Sequence, residues 1–187
     1  MNQLEAHILK GAIKAQKLYR EMTDGWWLWH GPESYLQTIV AQELSKSGHN
    51  IYMDTSIKKI LKEVKRGPGR PATYERQRPD ISVWHKDDLE TLRAAIEVKR
   101  AMNFDTIRQD AKKIERYLSH KKAAKTGYVL CYSEATRRHA DLLGSRFQRW
   151  VKTLGPKWSL ACNHIDPSKD DANWVWGVAL LRYDRHH

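Results

Sequence analysis

The sequence is poor in cysteine, with two in 187 residues, Cys131 and Cys162, each inside an apolar stretch. That is too few for a disulfide framework, and they lack the pairing of a zinc knuckle, so both are expected to be reduced core thiols of an intracellular, cytoplasmic protein. Long apolar runs are missing too. None approaches the roughly 20 residues that a membrane-spanning helix needs, the mean hydropathy is -0.73, and no membrane partner is expected. Met1 to Leu9 carries Glu5 and His7 and develops no apolar segment of the secretory kind. Several catalytic signatures are also wanting. There is no H-x-x-x-H or H-E-x-x-H spacing among the nine histidines, no glycine-rich phosphate loop ending in Lys-Ser/Thr, and no G-x-S-x-G. A zinc hydrolase, an intrinsic ATPase and Ser-His-Asp chemistry are therefore not expected. No internal repeat and no low-complexity tail is visible.

What the sequence has in excess is positive charge. It holds 33 Lys+Arg against 22 Asp+Glu, a formal net charge of +11, which points to a polyanionic partner, with nucleic acid ahead of an anionic membrane surface. Residues 58–78 carry a net +6, residues 99–125 another +6, and all the remaining residues a net -1. A surface covered in lysine merely for solubility does not predict such clustering; a phosphate-tracking surface does. Eight Trp and eight Tyr with ample Leu, Ile and Val argue against disorder, because enough apolar surface exists to offset the entropy of ordering.

At this length one domain is expected. Its parts are an N-terminal helix and Trp cluster over 1–29, a core over 30–133 with a basic loop at 58–78, and a C-terminal extension over 134–187. Leu4, Ile8, Ile13 and Leu18 predict an amphipathic helix to Met22, broken by Thr23-Asp24-Gly25. Trp26, Trp27 and Trp29 are expected to pack onto the domain rather than stack on bases. A second helix starts near Pro32-Glu33 and ends at Ser47-Gly48. Strands follow at Asn50 to Ile57, Asp80 to Trp84 and Arg93 to Val98, then a helix from Asp105 to about His120 and a strand at Thr126 to Tyr132. A last helix is predicted over Glu134 to Leu154, with strands Trp158 to Ile165 and Trp174 to Tyr183 completing the sheet or forming an accessory hairpin.

Chemistry concentrates at Pro79-Asp80, opening one strand, and Glu97-Val98-Lys99, closing the next, with sixteen residues between the two acids. Two neighbouring strands ending at the same sheet edge would bring Asp80 and Glu97 together. With the Val98 carbonyl they make a hard-oxygen set suited to Mg²⁺. Lys99, two residues after Glu97, is expected on the same strand face, where its ammonium could orient a water or stabilise charge on a phosphate. A same-face or cross-strand ion pair is the local alternative.

The string Arg78-Pro79-Asp80-Ile81 followed by Ala95-Ile96-Glu97-Val98-Lys99-Arg100 resembles the PD-(D/E)XK nuclease superfamily. The resemblance covers Glu33 to about Ser133 and implies an α/β fold with a restriction-endonuclease-like core: a helix, a three-stranded meander, a helix and a fourth strand in a mixed central sheet flanked by helices. It implies a Mg²⁺-dependent DNA endonuclease, with Mn²⁺ as a substitute, acting on double-stranded DNA. Asp80, Glu97 and the Val98 carbonyl would hold the metal and Lys99 the attacking water. Glu33 would reach the metal from the first core helix, with Glu43 as the fallback; the alternative is a first-turn Glu complementing the helix dipole.

Asp110, Lys113 and Tyr117, at i, i+3 and i+7, are similar to a pattern of several family branches and would support the site; an i,i+3 ion pair on a solvated face is the alternative. Gln109 has the wrong spacing to Tyr117 for the exonuclease branches. Lys65, Arg66, Arg70, Arg78, Arg100, Arg108 and Lys112 are the expected DNA contacts. Gly69-Arg70-Pro71 resembles an AT-hook core, although a basic hairpin tip gripping phosphates accounts for the same letters. The rival expectations are a non-catalytic DNA-binding or architectural module, and a nuclease subunit active only with a partner in transposition, restriction or recombination. A homodimer or a separate recognition subunit fits the need for two cuts.

Overall fold

A computed structural model describes residues 1–54, 78–85, 92–119, 124, 126–166 and 173–185. Lys65, Arg66, Arg70 and the AT-hook-like triplet lie outside the described residues.

Helix α1 spans Gln3–Met22 and opens with a capping box, in which the Asn2 side chain accepts the Glu5 N–H and the Glu5 carboxylate accepts the Asn2 N–H. This reciprocal pair satisfies two donors that the first helical turn leaves without partners. A short 3₁₀ turn, Leu28–His30, leads into α2, Glu33–Lys46, whose first residue follows Pro32 at the N-cap. Three strands follow: β1, Asn50–Met53; β2, Ile81–Trp84; and β3, Leu92–Arg100. Helix α3, Phe104–Leu118, begins where the Asn103 side chain accepts the Thr106 N–H at 3.1 Å. Strand β4, Thr126–Thr136, helix α4, Ala140–Leu154, and strands β5, Trp158–Ile165, and β6, Trp174–Asp184, complete the chain.

The six strands form one mixed sheet in the order β1-β2-β3-β4-β6-β5. The first three make an antiparallel meander, β4 joins β3 in parallel across the α3 crossover, and β6 and β5 run antiparallel beyond it. The protein is thus an α/β fold with helices on both faces. One face buries Ile96, Val98, Leu130 and Val178 under Ile8 of α1 and Leu36 and Val40 of α2. The other buries Ala95, Val129 and Leu181 under Ile107 and Ile114 of α3 and Phe147 and Trp150 of α4. Each fully buried Ile or Leu contributes about 1.5–3 kcal/mol to this packing.

Two glycines set how close the layers come. A Cβ on Gly11 would stand 2.9 Å from the Val40 backbone, so α1 and α2 cross nearly backbone to backbone there. At Gly127 of β4 a Cβ would collide with the Ile114 and Leu118 side chains of α3.

Two expectations need correction. The last helix does not start at Glu134: β4 runs to Thr136, because all eleven of its residues pair with β6 out to Thr136↔Trp174, and a 3₁₀ turn at Arg137–His139 intervenes. Of the two arrangements expected for the last strands, β5 and β6 complete the sheet. The Trp cluster divides. Trp27 is buried and Trp29 packs against the core, while Trp26 is 59% exposed with its ring edge-on to His30. No described helix is long and apolar enough to cross a membrane.

Candidate active site

The site grows from the register of the meander. Strand β2 pairs with β3 as Ile81↔Ile96, and the ladder stops there. Two places further along the same register Pro79 comes opposite Val98, and a proline has no N–H to offer a neighbouring carbonyl. The Asp80 side chain instead supplies an acceptor: its Oδ2 accepts the Val98 N–H at 2.7 Å. The Pro-Asp dipeptide thus ends the backbone ladder and replaces it with a carboxylate lying against the backbone of the residue after Glu97. Burial raises the Asp80 pKa above the ordinary aspartate value, partly offset by the Val98 hydrogen bond and the Lys113 charge.

Strand alternation turns Glu97 the same way as Ala95, towards α3, where it is only 2% exposed. A carboxylate this deep needs partners, and α3 supplies two. The Tyr117 hydroxyl donates to Glu97 Oε1 at 3.0 Å, and the Lys113 ammonium reaches Oε2 at 3.2 Å. Lys113 also pairs with Asp110 Oδ1 at 2.5 Å, one helical turn back. Asp110, Lys113 and Tyr117 therefore do not form a solvated ion-pair face; Asp110 and Tyr117 are buried and the set converges on Glu97.

Burial and the nearby Asp80 charge push the Glu97 pKa up to about 8, even though Lys113 and the Tyr117 hydrogen bond oppose the rise. Burial also raises Tyr117, with the Glu97 charge adding to it. Lys113 would be depressed by burial, but Asp110 and Glu97 outweigh this and hold its ammonium above the usual lysine value.

At the end of β3 the partner is Glu33, the first residue of α2. Its Oε1 accepts the Arg100 backbone N–H at 2.8 Å, and the Lys99 ammonium lies 3.2 Å away. Glu33 is thus both a first-turn acid at a helix N-terminus and a cap on the end of the strand that carries Glu97, and its charge contributes to the rise in the Asp80 pKa. Lys99 shares strand parity with Glu97, but the described contacts bring its ammonium to Glu33. Glu43, the fallback acid, sits elsewhere. It is buried between α1 and α2, paired with Lys10 and, at 3.7 Å, with Lys14, and its pKa is lowered chiefly by the Lys10 hydrogen bond.

Of the expected DNA contacts, Arg108 and Lys112 are exposed on α3, with Arg116 continuing the same stripe at i+8. Arg78 is exposed beside Asp54 at 3.7 Å. Arg100 is partly buried: its guanidinium donates to the Trp29 carbonyl at 3.1 Å and lies 5.7 Å from that ring's centroid, tying the 3₁₀ turn to β3. Gln109 faces solvent.

Sequence reasoning missed the role of another buried acid. Glu5 accepts from Tyr128 Oη and from Arg182, both at 3.3 Å, linking α1 to the sheet. The Asn-x-x-Glu capping pattern at residues 2–5 is the signal that could have shown half of this role.

Among the described residues, no group of three or more His, Cys, Asp and Glu is arranged to hold a metal ion. In donor chemistry, Asp80, Glu97 and the Val98 carbonyl are all hard oxygens of the kind Mg²⁺ takes, and a cation there would offset the burial and the Asp80 repulsion that raise Glu97. The residue types fit such an ion, while in this arrangement the positive charge comes from Lys113.

The fold and site together define an α/β protein with a mixed six-stranded sheet flanked by helices and a cluster of acids paired with partly exposed lysines at the end of β3. No protein-family model, curated protein or solved structure matches the chain.

Proposed function

We propose that the chain is a Mg²⁺-dependent DNA endonuclease with a restriction-endonuclease-like core, hydrolysing phosphodiester bonds, with Mn²⁺ able to substitute. The observation that carries this reading is the joining of Asp80 to the β3 end: its carboxylate hydrogen-bonds the backbone of Val98, immediately next to Glu97. The element order α2-β1-β2-β3-α3-β4, an antiparallel meander followed by a parallel crossover strand, agrees with the core that the Pro-Asp and Glu-x-Lys motifs imply.

A divalent ion held by Asp80, Glu97 and the Val98 carbonyl would polarise the scissile phosphate and lower the pKa of a bound water. Glu33 holds Lys99 at the end of β3, and that ammonium would hold the attacking water or counter charge on the phosphate oxygens. Tyr117 fixes the orientation of the Glu97 carboxylate. Arg108, Lys112 and Arg116 on α3 offer a row of cations for the phosphate backbone, a contact that confers affinity without reading sequence.

The test is cleavage of plasmid, linear duplex, branched and single-stranded DNA with Mg²⁺ by the wild type, Asp80→Asn and Glu97→Gln. Loss of cleavage with DNA binding retained agrees with the proposal. A second reading, a non-catalytic DNA-binding module on the same core, is favoured by one feature: both lysines of the site are already paired with carboxylates. It predicts binding without cleavage in the wild type, even with a partner present.

A further inference from the structure

Lys113 stands out because of where its charge lies. Its ammonium bridges the carboxylates of Glu97 and Asp110, at 3.2 and 2.5 Å, while Asp80 raises the electrostatic cost of the Glu97 charge from the β2 side. Glu97 and Asp110 are almost fully buried, yet the Lys113 side chain remains 42% exposed. A flexible four-carbon stem with a water-facing flank can withdraw its head without unpacking α3. The acids cannot withdraw: one is on β3 and the other is on the inward side of the helix.

We infer that Lys113 is the built-in counter-ion of Glu97 and Asp110, and that a divalent cation bound by Asp80 and Glu97 displaces its ammonium from Glu97. This rests on the metal-site reading above. In the metal-free protein Lys113 stabilises the ionised forms of Glu97 and Asp110, buried charges that are strongly destabilising when their cation is removed. When a divalent ion arrives, its charge and that of Lys113 compete for the same carboxylate. Lys113 thereby stabilises the empty site and weakens metal binding, two effects that are linked by necessity.

Mn²⁺ binding to the full chain, followed by calorimetry and by the loss of the free-ion electron-spin signal, tests this over a range of pH, so that metal and proton binding at the carboxylates are separated in wild type and variant. Lys113→Met, which keeps the stem and drops the charge, is expected to bind Mn²⁺ about tenfold more tightly than the wild type and to melt at a lower temperature without metal. A lysine that only supports packing would not tighten the metal. Equal or weaker binding by Lys113→Met, with wild-type binding intact, overturns the inference alone. If neither protein binds Mn²⁺, the metal-site reading falls and the inference with it.

Should Lys113→Met fail to fold, the wild type still answers. The side-chain ammonium resonance of Lys113, slowed in exchange by its ion pairs, should move and broaden on Mn²⁺ or Mg²⁺ addition. An unmoved Lys113 resonance at saturating Mg²⁺ overturns the inference.

Discussion

The Lys99 ammonium lies 3.2 Å from Glu33, so the lysine next to the end of β3 is held by the first residue of α2. The same carboxylate accepts the Arg100 backbone N–H, which locks the helix N-terminus to the strand end that carries Glu97. Glu33→Gln should keep the backbone hydrogen bond and lose the charge that holds Lys99. In a cleavage assay it is expected to lower the turnover rate about tenfold to a hundredfold with little change in melting temperature, because the pair is partly solvent-exposed.

Glu97 gives a pH dependence of definite sign. Its carboxyl holds a proton up to about pH 8 in the fold, against a reference value of 4.5, so the folded state binds more protons than the unfolded chain between those values. Its contribution to stability is therefore fully present below pH 4.5 and is lost as the pH rises through about 8. Thermal melts of the metal-free protein should show the midpoint falling from about pH 5 to about pH 8.5. In Glu97→Gln, which keeps the shape and cannot ionise, that part of the slope should vanish; an unchanged slope would assign it to other groups.

The α3 stripe should bind phosphate without reading sequence. Replacing Arg108, Lys112 and Arg116 by Gln is expected to weaken binding uniformly across duplexes of different sequence. The slope of log affinity against log salt should fall by about 0.9 for each contact removed. Fluorescence anisotropy at several salt concentrations measures both. A change in preference between sequences would contradict a backbone role.

Gly127 predicts a packing effect felt at the site. Gly127→Val would drive a side chain into Ile114 and Leu118, an overpacking that costs about 1–3 kcal/mol. Because α3 carries Lys113 and Tyr117, denaturant melts should show lost stability together with a change in Glu97 titration by NMR. Gly144→Ala in α4, whose added Cβ would lie at an ordinary 3.7 Å from the Ile165 side chain, should leave that titration unmoved.

Much of this was legible in the sequence because local pattern and tertiary role coincide. Ile107, Ala111, Ile114 and Leu118 repeat at helical spacing, and these are the residues α3 buries against the sheet. The end of β4 was not legible. Glu134-Ala135-Thr136 has no strong strand preference of its own and is held extended by pairing with Val175 and its neighbours, some forty residues later. At the site, the motif marked Asp80, Glu97 and Lys99, and the helical period put Asp110, Lys113 and Tyr117 on one face. The sequence could not say that this face turns inward onto Glu97, which depends on where the α3 crossover packs. Nor could it say that Lys99 finds Glu33, because alternation along a strand no longer fixes a long side chain's partner where the strand ends.

The most direct measurement is Mg²⁺-dependent cleavage of DNA by purified wild type beside Asp80→Asn and Glu97→Gln, with DNA binding followed in parallel. The account predicts cleavage by the wild type, a loss of about a hundredfold or more in each variant, and unchanged or tighter DNA binding as negative charge leaves the site. Wild-type cleavage that both variants retain in full would contradict it.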